Sequence, residues 1–286
     1  MIQEIGPRIF DNRFKNRKAL PEDLFLTYEG DSVLVSSTVD KLWYPSFSDF
    51  AGTHPGLAKE ARFLFTVDEI HYFLVREKGL DRVPGWQYVS TKRFRSESGL
   101  WRSFPGAVGW QLYRWYEDNR FCPRCAHPLK PGKEERHLSC ESCQKKIYPA
   151  IAPVVIVGVT HGEKLLLTQY ANREYRSYAL IAGFVEIGET LEEAVQREVL
   201  EEVGLRVKEI TYYKSQPWPF TDTLLAGFFA ELEGDPEITL QEDELSLGLW
   251  VSRECVPEDE LGISLTREMM NVFKNKTNLK NKRSLP

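Results

Sequence analysis

The stretch of sequence that decides the fold is GFVEIGETLEEAVQREVLEEVGL, residues 183–205. From Thr190 it reads as a helix, because Thr190 and Glu193 form a capping-box pair at its start. Gly204 is the residue preferred just past a helix end, so the start and stop signals agree. The segment therefore predicts a loop at 183–189 followed by a helix of about four turns.

Three glutamates share one turn of that helix. Glu198, Glu201 and Glu202 are spaced i, i+3 and i+4, so their carboxylates should project from one side. They continue the sector of Leu191 and Val195, which we expect to face the protein body. Inward carboxylates need a counter-charge, and oxygen-rich clusters suit Mg²⁺ or Mn²⁺ bridging to phosphate oxygens. A solvated acidic surface is the alternative, and inward placement disfavours it.

The segment resembles the Nudix hydrolase motif, whose fixed positions are all filled without gap or substitution. The resemblance implies metal-dependent attack of water on a nucleoside diphosphate linked to another group. It implies that Glu198, Glu201 and Glu202 are catalytic acids that hold metal, and that Glu202 is the position tied to activating water. The matched residues, which include the loop-shaping Gly183 and Glu189 and the ion-pairing Arg197, are Gly183, Glu189, Arg197, Glu198, Val199, Glu201, Glu202, Gly204 and Leu205.

Length and composition bound the class of protein. The 286 residues, 42% of them hydrophobic, can form two or more cores. The net charge of −5 gives no broad attraction to nucleic acid, so any RNA contact would be local. The opening MIQEIGPRIF lacks the features of a signal peptide, and no apolar run approaches the length of a membrane span. We expect a cytoplasmic protein with no membrane partner.

Four cysteines form a second pattern, C-x2-C-x14-C-x2-C. Cys122, Cys125, Cys140 and Cys143 predict a Cys₄ zinc ribbon, because so short a module buries too little apolar surface to fold without metal. Two disulfides are the alternative, which a reducing cytoplasm disfavours. Lysines around the ribbon could contact nucleic acid, but nearby glutamates offset much of their charge, which favours a scaffold.

The sequence after the ribbon predicts a mixed α/β domain. Strand patterns precede and follow the catalytic helix, and a last helix closes the segment. This order suits the α/β/α sandwich that the Nudix resemblance implies. The expected strands are 154–159, 164–169, 210–214, 224–231 and 249–252, with a helix around 269–273.

A rigid aromatic motif, SQPWPF, follows at residues 215–220. Its two prolines should not extend an inner strand, and they should brace Trp218 and Phe220 at fixed angles. Such a surface could stack on a flat ring, although aromatic side chains packed in the core are the alternative.

The ribbon, the complete Nudix motif and SQPWPF together resemble the NADH pyrophosphatase family, including members that remove NAD caps from RNA. The resemblance covers residues 120–273. It implies cleavage of NAD(H) to nicotinamide mononucleotide and AMP, removal of NAD caps to leave 5′-monophosphate RNA, and a homodimer. A broader Nudix hydrolase acting on ADP-ribose or other dinucleotides is one alternative, and an inactive RNA-binding module is another.

By matching position, the resemblance also implies substrate contacts. Phe184 and Trp218 would stack on the substrate ring, Tyr148 would contact the ligand, and Thr266 stands where a small alanine is common near the nicotinamide. Glu244 would be a fourth metal-binding acid, with Glu242 as the alternative. The substrate-binding set is Tyr148, Phe184, Ser215, Gln216, Trp218 and Thr266.

One departure from the family pattern follows SQPWPF. Thr221, Asp222 and Thr223 stand where the family has proline, any residue, then serine. Asp222 would bring a negative charge near an anionic substrate, for which the sequence offers no account.

The N-terminal third carries strand-like runs and no catalytic constellation. Runs at 24–28, 32–36, 63–67 and 70–75, together with an aromatic helix around 110–116, predict a small α/β domain. We therefore expect four parts: an N-terminal α/β domain at 1–117, a zinc ribbon at 118–149, a Nudix domain at 150–275 and a basic tail at 276–286.

Overall fold

The computed structural model describes residues 1–38, 41–96, 99–171, 177–258 and 262–275. The chain forms two compact units, residues 2–150 and residues 151–286 together with Met1. The predicted basic tail at 276–286 lies outside the described residues. Within the described ranges, no helix has the length and hydrophobicity needed to cross a lipid bilayer.

The first unit contains ten strands and two helices among its described residues. They are β1 (Phe10–Asp11), β2 (Leu24–Leu26), β3 (Tyr28–Glu29), β4 (Ser32–Ser36), α1 (Phe47–Phe50), β5 (Arg62–Val67), β6 (Ile70–Leu74), β7 (Trp86–Ser90), α2 (Leu100–Asp118), β8 (Leu129–Pro131), β9 (Leu138–Cys140) and β10 (Lys146–Ile147).

The second unit contains six strands and two helices among its described residues. They are β11 (Ala152–His161), β12 (Lys164–Tyr170), β13 (Ile181–Phe184), α3 (Leu191–Val203), β14 (Arg206–Trp218), β15 (Thr223–Glu233), β16 (Leu245–Ser252) and α4 (Leu265–Lys274).

The strands of the second unit form one mixed sheet in the order β14-β15-β11-β12-β16, with β13 also paired to β11. The central strand β11 is apolar through most of its length and pairs parallel with β15 over nine residues. Its side chains alternate between two cores. Val155, Val157 and Val159 pack with α3, whereas Val154 and Ile156 pack with α4. A helix on each face of the sheet gives the predicted α/β/α sandwich.

Helix α3 begins and ends as its sequence predicts. Thr190 accepts a hydrogen bond from the backbone N–H of Glu193, and the Glu193 side chain accepts one from the backbone of Thr190. Gly204 ends the helix at φ +70°, a left-handed conformation that glycine adopts without strain. Helix α3 therefore follows strand β13 and the loop at 185–190, and both of its ends are set by capping residues.

The first unit holds three small sheets and one long helix. The sheets have the orders β1-β5-β6-β2, β3-β4-β7 and β10-β9-β8, the last being the ribbon. Helix α2 carries Pro105 within its first turns and buries Phe104, Leu112 and Trp115. This arrangement confirms the predicted fold class, an N-terminal α/β region and a zinc ribbon preceding a Nudix sandwich.

The strand predicted at 210–214 is longer than expected. Strand β14 continues through Ser215 to Trp218 and keeps its antiparallel register with β15, Pro217 lying opposite Leu224. Proline is tolerated here because β14 lies at an edge of the sheet, where one row of backbone N–H groups has no partner strand. The aromatic motif is therefore presented by a strand, and its last residues form the turn into β15.

Candidate active site and zinc site

Gly183 of β13 lies directly against the side chain of Glu198 on helix α3. Glu198 is 9% exposed, and a Cβ added at Gly183 would overlap all three atoms of its carboxylate group. Only glycine leaves room for this side chain between β13 and α3. The motif glycine is thus explained by packing as well as by the shape of the loop that follows.

Arg197 ties the loop before α3 to the acids on the helix. Its Nε and Nη2 donate to the two oxygens of Glu189 at 2.7 and 2.9 Å, and Nη2 also donates to the carbonyl of Phe184. Hydrogen bonds from Arg197 lower the pKa of Glu189 to about 2. Because the ion pair is only partly exposed and bidentate, it fixes the loop more firmly than a surface pair would.

The same guanidinium also holds two of the predicted metal ligands. Nη1 of Arg197 donates to Glu198 Oε1 at 2.7 Å and to Glu201 Oε2 at 3.0 Å. The single positive charge of Arg197 is therefore shared among Glu189, Glu198 and Glu201. Each keeps a second carboxylate oxygen, which leaves acceptor capacity for a cation.

Glu202 is the most deeply buried acid of the helix. It is 2% exposed, and its Oε2 has no hydrogen-bond partner among the described residues. Burial, together with the charges of Glu198 and Glu244, raises its pKa to about 8, while a backbone hydrogen bond from Ala182 opposes this shift. An inward carboxylate oxygen without a partner must take a proton or a cation.

Glu201 departs from the expected inward arrangement of all three acids. Its side chain is 54% exposed, whereas Glu198 and Glu202 are buried. Successive helix residues differ by 100°, so Glu202 lies near the centre of the buried sector and Glu201 at its edge. Two acids therefore point inward, and the third lies at the rim beside Arg197.

Glu244, predicted as a fourth metal-binding acid, lies in the segment after β15. The backbone N–H groups of Thr239 and Gln241 donate to the carbonyls of Val203 and Glu202 at the end of α3, which brings residues 239–245 against the helix. The negative charge of Glu244 raises the pKa of both Glu198 and Glu202, after the larger effect of burial. Glu244 therefore lies close enough to Glu198 and Glu202 to influence both of them electrostatically.

The donor set fits a divalent cation such as Mg²⁺ or Mn²⁺. Carboxylate oxygens are the ligands these ions prefer, and the unpartnered Oε2 of Glu202 is available for one. Among the described residues, the carboxylates are less tightly grouped than the cysteines described below, and Arg197 is hydrogen-bonded to two of them. The carboxylates therefore fit a divalent cation, provided that the cation and Arg197 bind different oxygens of Glu198 and Glu201.

The predicted ring-stacking residues lie at one end of the sheet. The registers place Gln216, Leu225, Val154 and Phe184 in one row across four strands. Because side chains alternate, this row faces α4, whereas Gly183 and the acids face α3. Phe184 is 57% exposed, and Trp218 is half-buried with its ring 4.8 Å from that of Phe220.

Gln216 does not present its side chain as a substrate contact. It is fully buried, its Nε2 donates to the carbonyl of Ile263, and its Oε1 accepts from the backbone N–H of Leu265. Both polar ends are used to anchor the start of α4 on strand β14. Ser215, the preceding residue, is exposed, and Thr266 lies half-buried in the first turn of α4.

Asp222 is explained by the turn between β14 and β15. Its φ is +57°, and its carbonyl accepts a hydrogen bond from the backbone N–H of Ala152. Aspartate adopts left-handed conformations more readily than most residues. The turn thus accounts for its presence, which sequence analysis left without explanation.

The four ribbon cysteines are free thiols gathered at one point. All four sulfur atoms lie within 4.8 Å of one another, and the pairs Cys122–Cys143 and Cys125–Cys140 are 3.5 Å apart. Tetrahedral Zn²⁺ with Zn–S bonds of about 2.3 Å would separate its sulfurs by about 3.8 Å, so the group fits zinc. A disulfide would need about 2.05 Å, so the disulfide alternative is wrong.

Two matching turns hold these cysteines. The backbone N–H of Ala126 donates to the carbonyl of Cys122, and that of Gln144 donates to the carbonyl of Cys140. Ala126 and Gln144 have φ values of +60° and +59° at equivalent positions. Such strain in non-glycine residues costs about 1–2 kcal/mol each and persists only when the surroundings enforce it. Metal binding supplies that constraint in a ribbon with little core of its own.

Tyr148 belongs to the first unit and lies at the end of the ribbon. Its ring is half exposed and lies 5.6 Å from that of His137, and its hydroxyl donates to Glu135 at 2.7 Å. Glu135 also lies 3.5 Å from Lys146. The sequence predicted Tyr148 as a ligand contact but gave no sign of the acid that holds its hydroxyl.

Comparison with known proteins agrees with these sites. Residues 150–271 match the model of the NUDIX domain, and residues 117–148 match that of the NADH pyrophosphatase zinc ribbon domain. NAD-capped RNA hydrolase NudC of Salmonella typhimurium is 41% identical over 161 residues, which are 56% of this chain and 62% of that protein. The protein of the same name from Citrobacter koseri is 41% identical over 149 residues, 52% of this chain and 58% of that protein.

These alignments span about six tenths of the length of the two curated relatives. Among solved structures, the crystal structure of a NUDIX hydrolase from Nitrosomonas europaea aligns with a TM-score of 0.47 at 23% identity. That alignment covers 55% of this chain and 92% of the other.

The sandwich, the capped helix with inward acids and the domain match define a Nudix domain protein. The ribbon that precedes this domain narrows the class. The chain contains a NUDIX domain preceded by an NADH pyrophosphatase zinc ribbon domain, and the resemblance predicted from the sequence is confirmed.

Proposed function

We propose that this protein hydrolyses the pyrophosphate of NAD(H) to nicotinamide mononucleotide and AMP, and that it removes NAD caps from RNA to leave 5′-monophosphate ends. The observation that carries the proposal is the buried Glu202 carboxylate with an unpartnered oxygen, set in a Nudix domain that follows an NADH pyrophosphatase zinc ribbon. An inward acid of this kind destabilises the fold unless it binds a proton or a cation. A binding module without chemistry would have no use for it.

The acids would share the work of hydrolysis. Glu198, Glu201, Glu202 and Glu244 would hold Mg²⁺ or Mn²⁺, which when bound neutralises phosphate charge and lowers the pKa of water. A water molecule adds to one phosphorus and its proton passes to a carboxylate. We assign that role to Glu202, because it is buried and its Oε2 is not already hydrogen-bonded to Arg197 or another described residue. The bridging P–O bond then breaks and the mononucleotide leaves.

Arg197 would set the geometry of these acids. Its two bonds to Glu189 anchor the guanidinium, so Nη1 alone is shared between Glu198 and Glu201. An exposed Glu201 can exchange this hydrogen bond for a cation at small cost, since surface pairs contribute little. The Arg197–Glu189 ion pair would keep the loop joined to the helix while Glu201 exchanges Arg197 for the cation.

The nicotinamide end of the substrate would lie on the α4 side of the sheet. Phe184 follows Gly183, so the chain passes from the acid side to the aromatic side within two residues. Trp218 lies at the same end of the sheet, two residues beyond the row that contains Phe184. A substrate curved around this end could place its pyrophosphate at the acids and its ring on the aromatic side chains. Thr266 would then influence which form of nicotinamide is preferred.

Product analysis tests this proposal directly. Purified protein with Mg²⁺ or Mn²⁺ would be given NADH, NAD-capped RNA and ADP-ribose side by side, with Glu202→Gln as the inactive control. Release of mononucleotide from the first two substrates, and none from the variant, is the expected result. Turnover of ADP-ribose alone would indicate a broader Nudix hydrolase, and absence of turnover on all three would indicate a binding module.

We also propose the assembly and division of the chain. The four parts are residues 1–117, 118–149, 150–275 and 276–286, and the protein is a cytoplasmic homodimer. Four reduced thiols gathered for zinc support a reducing compartment. Light scattering after size-exclusion chromatography would give the mass of the assembly, to be compared with 33.1 kDa for one chain.

A further inference from the structure

The first unit contains a cleft that the proposed hydrolysis does not use. Its volume is about 580 Å³, and its basic lining residues are Lys59, Arg62 and Arg76, with His54 beside them. Leu57, Leu74 and Val75 supply an apolar wall, and the acids Glu60 and Glu77 complete the set of charged lining groups. Both acids are exposed to solvent, whereas Arg62 is half-buried.

Two arginines of the cleft lining approach the ring of Tyr116. The guanidinium groups of Arg62 and Arg76 lie 4.7 and 5.7 Å from the ring centroid. A third arginine, the half-buried Arg136, donates to the carbonyl of Leu64, and its positive charge also acts on Tyr116. Like charges held this close repel one another, and burial together with the Arg76 charge lowers the pKa of Arg62.

The acids of this region do not satisfy these cations. Glu117 pairs with Arg76 at 3.0 Å. Among the described residues, the Arg62 guanidinium donates no hydrogen bond, and the buried Nε of Arg136 has no partner. The four cations Lys59, Arg62, Arg76 and Arg136 outnumber the three acids Glu60, Glu77 and Glu117 by one, which leaves a local positive charge with donors still available. Guanidinium groups in this state favour a multiply charged oxyanion such as a phosphate, whose oxygens they can bind in pairs.

We propose that this cleft binds a phosphate group through Arg62 and Arg76, independently of the hydrolytic site. The aromatic ring of Tyr116 holds both guanidinium groups in place, so their donors are pre-organised for the oxygens of one phosphate. The composition of the unit agrees with an anionic ligand, because residues 1–150 contain 23 Lys and Arg against 19 Asp and Glu. A phosphate can come from a small nucleotide or from an RNA backbone, and the two sources are separable by experiment.

The test measures binding to the full-length, zinc-loaded protein by calorimetry, with inorganic pyrophosphate and a short single-stranded RNA as separate probes. Measurements are made without Mg²⁺ or Mn²⁺, so that the hydrolytic site does not bind the probes through metal. Arg62→Gln combined with Arg76→Gln is compared with Arg82→Gln, an exposed arginine outside the cleft. We expect the double substitution to weaken binding of at least one probe about tenfold or more, and Arg82→Gln to have little effect.

A second variant, which removes negative instead of positive charge from the cleft, should have the opposite effect on binding. Glu60→Gln combined with Glu77→Gln removes the two acids of the lining and should tighten the same binding. If pyrophosphate responds, the site takes small phosphates, and if RNA alone responds, it takes the polynucleotide backbone. Equal affinity of wild type and the double arginine variant for both probes would overturn the proposal. NADH hydrolysis, measured separately, should be unchanged in these variants, so the outcome does not depend on the proposed activity.

Discussion

At the scale of single residues, the site depends on one glycine that leaves room for one acid. A methyl group at position 183 would overlap the Glu198 carboxylate, and neither β13 nor α3 can move without disturbing the core between them. The glycine of the motif and its first helix glutamate are thus a packed pair. Substituting either residue should change what the other contributes.

Gly183→Ala should therefore lower the free energy of unfolding by about 1–3 kcal/mol, the usual cost of overpacking. It should also displace Glu198 and reduce kcat. Denaturant unfolding of wild type, Gly183→Ala, Glu198→Ala and the double variant gives the coupling free energy between the two residues. In the Glu198→Ala background the added methyl should cost little, because the overlapping carboxylate is gone. An equal cost in both backgrounds would contradict the packed-pair interpretation.

The buried Glu202 predicts a pH-dependent stability in the absence of Mg²⁺ or Mn²⁺. Its pKa rises from an ordinary value of 4.5 to about 8 on folding, so the folded state holds the proton more tightly. The resulting stabilisation is complete below pH 4.5 and is lost as the pH rises through about 8. Glu202→Gln cannot lose a proton, so its stability relative to wild type should increase across this window, by at most about 1.4 kcal/mol per pH unit.

Urea unfolding of zinc-loaded protein at pH 5, 6.5 and 8 would measure this difference. Glu192→Gln, on the exposed side of the same helix, is the matched control. Added Mg²⁺ should stabilise wild type most at the higher pH, because a cation replaces the lost proton. A difference between Glu202→Gln and wild type that does not vary with pH would contradict the assignment.

The sequence predicted a group of acids on α3 and the two ends of that helix, but not all of the contacts that these acids make. The i, i+3, i+4 spacing of the glutamates and the caps of α3 are local features, so they could be read directly. The exposure of Glu201 and the sharing of Arg197 among three acids depend on how α3 packs against the sheet. No local pattern encodes the distance between two elements that are separated along the chain.

At the scale of elements, strand β14 and helix α4 are joined by one buried amide. Gln216 donates to Ile263 and accepts from Leu265, so its removal would leave a partly buried carbonyl and a buried N–H unsatisfied. Gln216→Ala should lower the free energy of unfolding by about 2–4 kcal/mol. The KM for NADH should change less than it does in Trp218→Ala, which removes a stacking surface worth about 1–3 kcal/mol.

Ser215→Ala, at the exposed neighbouring position, is the control for this measurement. Unfolding and steady-state kinetics of Gln216→Ala, Trp218→Ala and Ser215→Ala would show whether Gln216 anchors α4 or contacts the substrate. A large rise in KM for Gln216→Ala with unchanged stability would restore the role that the family resemblance assigned to this residue.

The ribbon is an element that depends on its metal. We expect one Zn²⁺ per chain, lost in Cys125→Ser, followed by protease cleavage within residues 118–149, because the left-handed turns at Ala126 and Gln144 lose their constraint. Cys255→Ser, which removes the exposed fifth cysteine, should keep both its zinc and its resistance to protease cleavage. Elemental analysis and limited proteolysis would report both properties. Full zinc content in Cys125→Ser would rule out the Cys₄ site.

Most elements were predictable because their periodicity is strong. The pattern at 154–159 and 164–169 lies inside β11 and β12, and 32–36 coincides with β4. The strand through Pro217 was missed because the rule that excludes proline applies to inner strands, and the sequence does not say which strand forms an edge. Strand order is a property of the whole sheet.

At the scale of the whole molecule, charge is divided unevenly along the chain. Residues 1–150 contain 23 Lys and Arg against 19 Asp and Glu, whereas residues 151–286 contain 14 against 23. The overall charge of −5 hides this difference, which is why composition alone argued against broad contact with nucleic acid. The acidic unit is the one that carries the catalytic motif, so an anionic substrate there depends on bound cations.

This division predicts different salt dependence for the two proposed substrates. RNA beyond the cap carries further phosphates that the basic residues of the first unit could neutralise, and each such contact adds about 0.7 to the slope of log affinity against log salt. The KM for NAD-capped RNA should therefore rise more steeply with KCl than the KM for NADH, while kcat changes little for either. Initial rates at constant Mg²⁺ and several KCl concentrations would measure both slopes. Equal slopes would mean that RNA beyond the cap makes no net ionic contact with the protein, and that only the dinucleotide is recognised.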